Sequence, residues 1–121
     1  MTGNRTLVLL RHAKSGYPGG VGDHDRPLAE RGRREGALAG DWIRLHLPAI
    51  DEILSSTATR TQETVAVAGL TAPIRLSANI YEANPDDVLG EIRATGPEVQ
   101  TLMVVGHAPG IPGLAFDLAG A

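Results

Sequence analysis

The chain contains no cysteine, which excludes disulfides, thiolate metal sites and a thiol nucleophile. It has one lysine, Lys14, beside ten arginines, and only four aromatic residues, Tyr17, Trp42, Tyr81 and Phe116. A core must therefore be built from Leu, Val, Ile and Ala. No apolar run approaches the length of a membrane span. The stretch Leu7 to Leu10 is too short for a signal segment and runs directly into Arg11-His12. A soluble, cytoplasmic protein with no membrane partner is expected. The formal net charge of −3 argues against a general nucleic-acid surface. What is present is a chain of 121 residues, 42% of them apolar, enough for one domain with a real core. Residues 1–121 are expected to form that single domain.

Thr6 to Leu10 reads as a buried strand. Gly16 to Asp25, with four glycines and a proline, reads as a loop. Pro27 to about Leu47 reads as a helix, with Leu38, Trp42 and Leu45 on one face. Gly32, Gly36 and Gly40 weaken its helical propensity but would allow close packing against a sheet. Asp51 to Ser55 is a second strand, and Ser56 and Thr57 are candidate caps for a helix from Ala58 to about Ala68. Ile74 to Leu76 is a third strand, Pro85 to Ala94 a helix, Thr101 to Val105 a fourth strand, and Ile111 to Leu118 a last helix. This alternation predicts an α/β domain of three layers, with a mainly parallel sheet and helices on both faces.

In such folds ligands sit beyond the carboxyl ends of the strands. Three segments fall there: Arg11-His12-Ala13, Ser55 to Arg60, and Gly106 to Gly110. Together they bring two histidines and two arginines to one edge. There is no P-loop, no Gly-x-Gly-x-x-Gly turn and no glycosidase-like carboxylate pair. Guanidinium groups would repel a divalent cation, so this set makes a poor metal site. It suits phosphate, because Arg binds phosphate oxygens bidentately, a neutral imidazole nitrogen can attack phosphorus, and a second histidine can donate to the equatorial oxygens in the transition state.

Leu9 to Ser15 resembles the Arg-His-Gly signature of the histidine phosphatase superfamily. Asp25-Arg26-Pro27-Leu28 with Arg31-Gly32, Ser55 to Thr64, and Val105 to Gly110 are similar to its remaining blocks, in the same order and spacing. The resemblance implies a phosphoglycerate mutase-like fold. It implies that His12 is the nucleophile, that Arg11 and Arg60 clamp the phosphoryl oxygens, and that His107 completes the clamp. No cofactor and no metal are implied. The short motifs most resemble the SixA-like phosphohistidine phosphatase branch, whose substrates are phosphorylated proteins of bacterial histidine phosphorelays; a small phosphomonoester is the alternative substrate, and a non-catalytic phosphate-binding relative the alternative from another class. Ala13 stands where most members have Gly, which is compatible with a negative φ. Pro18 stands where mutase-like members have Asn, which argues against a mutase. Family members continue past this point with strands five and six of a 3-2-4-1-5-6 sheet. The chain is therefore expected to be C-terminally incomplete, with the strand carrying His12 at the sheet edge.

A phosphomonoester leaving as an alkoxide needs a proton donor. Glu82 is the candidate, with Asp23, His24 and Asp25 as alternatives. A leaving imidazole, with a conjugate-acid pKa of roughly 6.5, needs one less. Ser15 would touch phosphate or serve a turn. Arg26 would line the pocket or pair with Asp25. His24 is expected on an exposed loop, His46 on a helix surface, and Arg31, Arg33 and Arg34 on a solvated helix face or an acidic partner.

Overall fold

The structure, a computed structural model, describes residues 5–119. Strands and helices alternate: β1 (Thr6–Arg11), α1 (Glu30–His46), β2 (Glu52–Ser56), α2 (Thr59–Ala68), β3 (Ile74–Ser77), α3 (Pro85–Arg93), β4 (Thr101–Gly106) and α4 (Gly110–Ala119). The sheet runs β1-β4-β2-β3 with every pairing parallel, which is the expected 3-2-4-1 order. The central strand β4 is buried along its whole length. Its alternate residues enter two cores, as the two-residue repeat of a strand requires. Leu102 and Val104 pack with Leu54, Val88, Ile111 and Leu114 beneath α3 and α4. Met103 and Val105 pack with Ile53, Ile43 and Val65 beneath α1 and α2. The result is the anticipated three-layer α/β/α sandwich.

Strand β1 departs from the expectation of a buried strand. Its residues are half-buried, because among the described residues it pairs only with β4. A strand with one neighbour has both faces incompletely covered.

The larger correction concerns α1. Leu38, Trp42 and Leu45, expected to face inward, are 66%, 55% and 80% exposed. The buried face is instead Gly32, Gly36, Gly40 and Ile43. A Cβ on Gly40 would lie 2.0 Å from the Ala68 carbonyl oxygen, and one on Gly32 would lie 2.0 Å from the Lys14 carbonyl oxygen. The helix thus lies directly on backbone, and side chains on that face would hold it away. His46 is exposed as expected, beside the Trp42 ring at 4.7 Å between centroids.

Two terminal details matter for the site. Helix α2 begins after Ala58, which offers no side-chain cap; Ser56, expected as a cap, closes β2 and instead accepts from the Ala58 amide at 3.1 Å. Helix α3 is entered through a capping box between Asn84 and Asp87, with Pro85 in its first turn.

Candidate active site

The carboxyl ends of three strands lie side by side: Arg11 is in register with Gly106, and Ser55 with Val105. The His12 amide continues the ladder, donating to the Gly106 carbonyl at 3.0 Å. His12 and His107 each follow one of two adjacent strands, so their rings meet, with centroids 5.2 Å apart and planes at 55°. Arg60, in the first turn of α2, is only 6% exposed and completes the cluster.

The His12 ring nitrogen Nδ1 lies 2.7 Å from the Ala13 carbonyl oxygen. A carbonyl can only accept, so Nδ1 carries the proton and Nε2 keeps a free lone pair. Burial lowers the His12 pKa below the usual imidazole value; the Ala13 bond opposes this, and the charges of Arg60, Arg11 and Arg26 add to it. The ring is thereby held in the neutral form that a nucleophile requires. The Ala13 amide donates to the Thr64 hydroxyl at 3.0 Å, and that hydroxyl donates to the Arg60 carbonyl at 2.7 Å. One threonine therefore fastens the loop after His12 to the helix that carries Arg60. Ala13 has no positive φ, as its substitution for glycine requires.

His107 is 7% exposed, and its Nε2 lies 2.9 Å from the Ser56 hydroxyl. That oxygen accepts from Ala58 and carries one proton of its own, which can go to Nε2. With the hydroxyl donating to Nε2, the imidazole proton sits on Nδ1, which is buried and has no partner among the described residues. Burial pushes the His107 pKa down to about 4, helped by the charge of Arg60. A neutral ring with a single N–H turned to the site is a hydrogen-bond donor for an oxyanion.

Arg60 donates from Nη1 to the Asp23 carbonyl at 2.7 Å and from Nη2 to the Asp23 carboxylate at 3.1 Å. Its Nε is buried and unpartnered among the described residues. Buried donors without acceptors are costly. Two of them, on Arg60 and His107, belong to the same cluster as His12, and an anion supplies what both lack.

Asp23 sits at the centre of a second network. It accepts from the Tyr81 hydroxyl and from Arg26, whose Nη2 lies 3.0 Å away. The Tyr81 bond holds its carboxyl well below the usual carboxylate range, with Arg26 and Arg60 adding to the effect against partial burial. The same bond pushes the Tyr81 phenol up. Asp23 is therefore an anion that braces Arg60. Its tie to Arg60 spans 37 positions, a tertiary relation that no local motif reveals.

The remaining candidates separate. Arg26 pairs with Asp23 rather than Asp25, because its Nη1 is anchored by the Ser15 hydroxyl at 2.7 Å and the Gly16 carbonyl at 3.1 Å. Ser15 is thus buried as an anchor at the base of the loop. His24 is half-buried rather than exposed, since its Nε2 meets the Thr57 hydroxyl at 2.8 Å and its ring meets Tyr81 edge-on. Asp25 is 78% exposed in its side chain. Glu82 is exposed and lines the same recess of about 390 Å³ as Arg60, Tyr81 and His107. Arg31 and Arg34 lie on the solvated face of α1, paired with Glu35 and Glu30. Ser56, Thr64 and Tyr81 escaped assignment from sequence; the first two lie inside a recognised block, and Tyr81 directly precedes Glu82.

Comparison with known proteins agrees with this geometry. Residues 7–108 match the model of the histidine phosphatase superfamily, branch 1. An uncharacterized protein of Mycobacterium tuberculosis is 54% identical over 110 residues, covering 91% of this chain and 70% of its own length. A structure from Nakamurella multipartitia, described as a SixA phosphohistidine phosphatase, superposes with a TM-score of 0.92 at 45% identity, over 97% of this chain and 67% of the other. One from Agrobacterium tumefaciens, described likewise, gives 0.88 at 33% identity, over 97% and 78%. The chain belongs to the histidine phosphatase superfamily, branch 1, and within it is SixA-like.

Proposed function

We propose that this phosphatase-family chain hydrolyses protein phosphohistidine through a phosphoryl-enzyme intermediate on His12. The carrying observation is the pairing of a free His12 Nε2 with two unpartnered buried donors, Arg60 Nε and His107 Nδ1, in one cluster. In the first step the Nε2 lone pair forms a bond to phosphorus while the phosphorus–nitrogen bond to the substrate imidazole breaks. The departing imidazole leaves with the electron pair and takes a proton from solvent. Arg11, Arg60 and His107 hold the equatorial oxygens as charge shifts onto them. In the second step water attacks phosphohistidine-12, inorganic phosphate leaves, and the lone pair returns to Nε2.

Two features favour a nitrogen-bound substrate phosphoryl. Tyr81, Arg26 and Arg60 favour the ionised form of Asp23, which makes it a poor proton donor. Glu82, the remaining carboxyl of the recess, is exposed and has no hydrogen-bond partner among the described residues to fix it. A phosphomonoester would rely on Glu82 as its acid. Ser15 and Arg26 act by positioning the loop, not by touching the phosphoryl group. No metal is required, since the cluster is already cationic and a divalent ion would be repelled.

The test compares a phosphorylated histidine-containing transfer domain with p-nitrophenyl phosphate. The phosphoprotein is expected to have the higher kcat/KM, with EDTA without effect on either. A strong preference for the monoester, lost in Glu82→Gln, would replace this reading with that of a small-molecule phosphatase. Loss of activity in EDTA would refute the metal-free mechanism.

A further inference from the structure

Two recesses meet at the cluster. Arg60, His107 and Glu82 line one of them. The other, about 430 Å³, is lined by Arg11, His12, Ala13, Lys14, Ser15, Tyr17 and Arg26; the phosphoryl chemistry uses Arg11 and His12 there and leaves Lys14 and Tyr17 unused. Two of its three cations, Arg11 and Lys14, are unpaired among the described residues, and the third, Arg26, is held by Asp23. Seven arginines each pair with a carboxylate. Neither the Arg11 nor the Lys14 side chain has a carboxylate or hydrogen-bond partner among the described residues, and both residues are exposed. Arg11 serves the phosphoryl group; Lys14, the sole lysine, has nothing assigned to it.

Tyr17 adds a second signal. It is 78% exposed, although the chain has only four aromatic residues. The Arg26 guanidinium covers one side of its ring at 4.3 Å from the centroid. Arg26 is itself fixed by Ser15, the Gly16 carbonyl and Asp23. The ring is therefore a braced platform with an open face, of the kind that enriched tyrosines form at recognition surfaces.

We propose that this recess is a recognition subsite for an acidic residue flanking the phosphorylated histidine of a protein substrate. Lys14 is its counter-ion and the Tyr17 ring supports the chain beside it. The inference rests on the phosphohistidine reading and deepens it by naming what surrounds the target residue. A polypeptide fits better than a small anion, because Lys14 and Tyr17 both face open solvent rather than an enclosed cavity, and charge complementarity at such a rim selects partners.

The test is fluorescence anisotropy with two peptides carrying a non-hydrolysable phosphohistidine analogue, one flanked by Glu and one by Gln. The wild type is expected to bind the Glu peptide about fivefold more tightly, the reach of one exposed ion pair. Lys14→Glu should reverse the preference and Lys14→Arg should retain it. Equal affinities in the wild type, or a preference that survives Lys14→Glu, would overturn the proposal. So would inhibition by inorganic phosphate with neither peptide bound, which points to small substrates. Because the readout is binding, its failure is distinct from failure of His12 to accept a phosphoryl group, which is read separately by covalent labelling.

Discussion

The two flanks of His12 are built on opposite plans. On the Arg60 side nearly every polar atom is tied: Arg60 to Asp23, Asp23 to Tyr81 and Arg26, His107 to Ser56, Thr64 to both Ala13 and Arg60. The atoms left free, Arg60 Nε and His107 Nδ1, are buried donors. On the Lys14 side the free groups are exposed cations and an exposed ring. The contrast separates two tasks. Stabilising a transition state demands donors that are already oriented and dehydrated. Selecting a partner is served by charges that remain accessible until it arrives.

The largest effects should fall on the wired side. Arg60→Ala is expected to lower kcat about 10²- to 10³-fold, the usual consequence of removing a preorganised transition-state donor. If steady-state kinetics instead showed a change confined to KM, Arg60 would be a ground-state anchor and the contrast would blur. Ser56→Ala removes the bond that sets the His107 tautomer. A loss of about tenfold in kcat is expected, comparable to one hydrogen bond at this site. Asp23→Asn keeps the shape but weakens the brace on Arg60, and a smaller loss of kcat should accompany it.

A pH profile sharpens the same comparison. His12 attacks only when neutral, and its pKa in the folded protein lies below 6.5 because of burial and nearby guanidinium charge. The kcat/KM value should therefore be flat around neutrality and fall only as the pH drops through that lowered pKa. Arg60→Met removes one of these charges and should move the acid limb to higher pH. An unmoved limb in that variant would mean that another group governs the profile.

Much of this arrangement was legible in the sequence, for a topological reason. In a parallel α/β sheet, residues just past the strands share one edge, so His12, Arg60 and His107 could be brought together from their positions alone. The strand order was what the resemblance to the histidine phosphatase superfamily implied. What escaped was of two kinds. The Asp23 hub and the Ser56–His107 bond join residues distant along the chain, and no periodicity encodes them. Helix α1 was read by its apolar stripe, yet close approach to backbone excludes side chains altogether, and the inward face was written in glycine at four-residue spacing. Gly40→Ala should accordingly destabilise the fold by about 1–3 kcal/mol through overpacking, despite its gain in helix propensity. Leu38→Ala, on the exposed stripe, should stay within about 0.5 kcal/mol. Chemical denaturation of both variants checks the assignment of the two faces.

The central claim is that Nε2 of His12 receives the phosphoryl group. Rapid acid-free quenching with a ³²P-labelled phosphohistidine substrate, followed by base-stable peptide mapping and ³¹P NMR, tests it directly. The account predicts one label per chain, stable in base and labile in acid, on Nε2 of His12 and absent from His12→Ala. Label on another residue, or turnover that persists undiminished in His12→Ala, would contradict it.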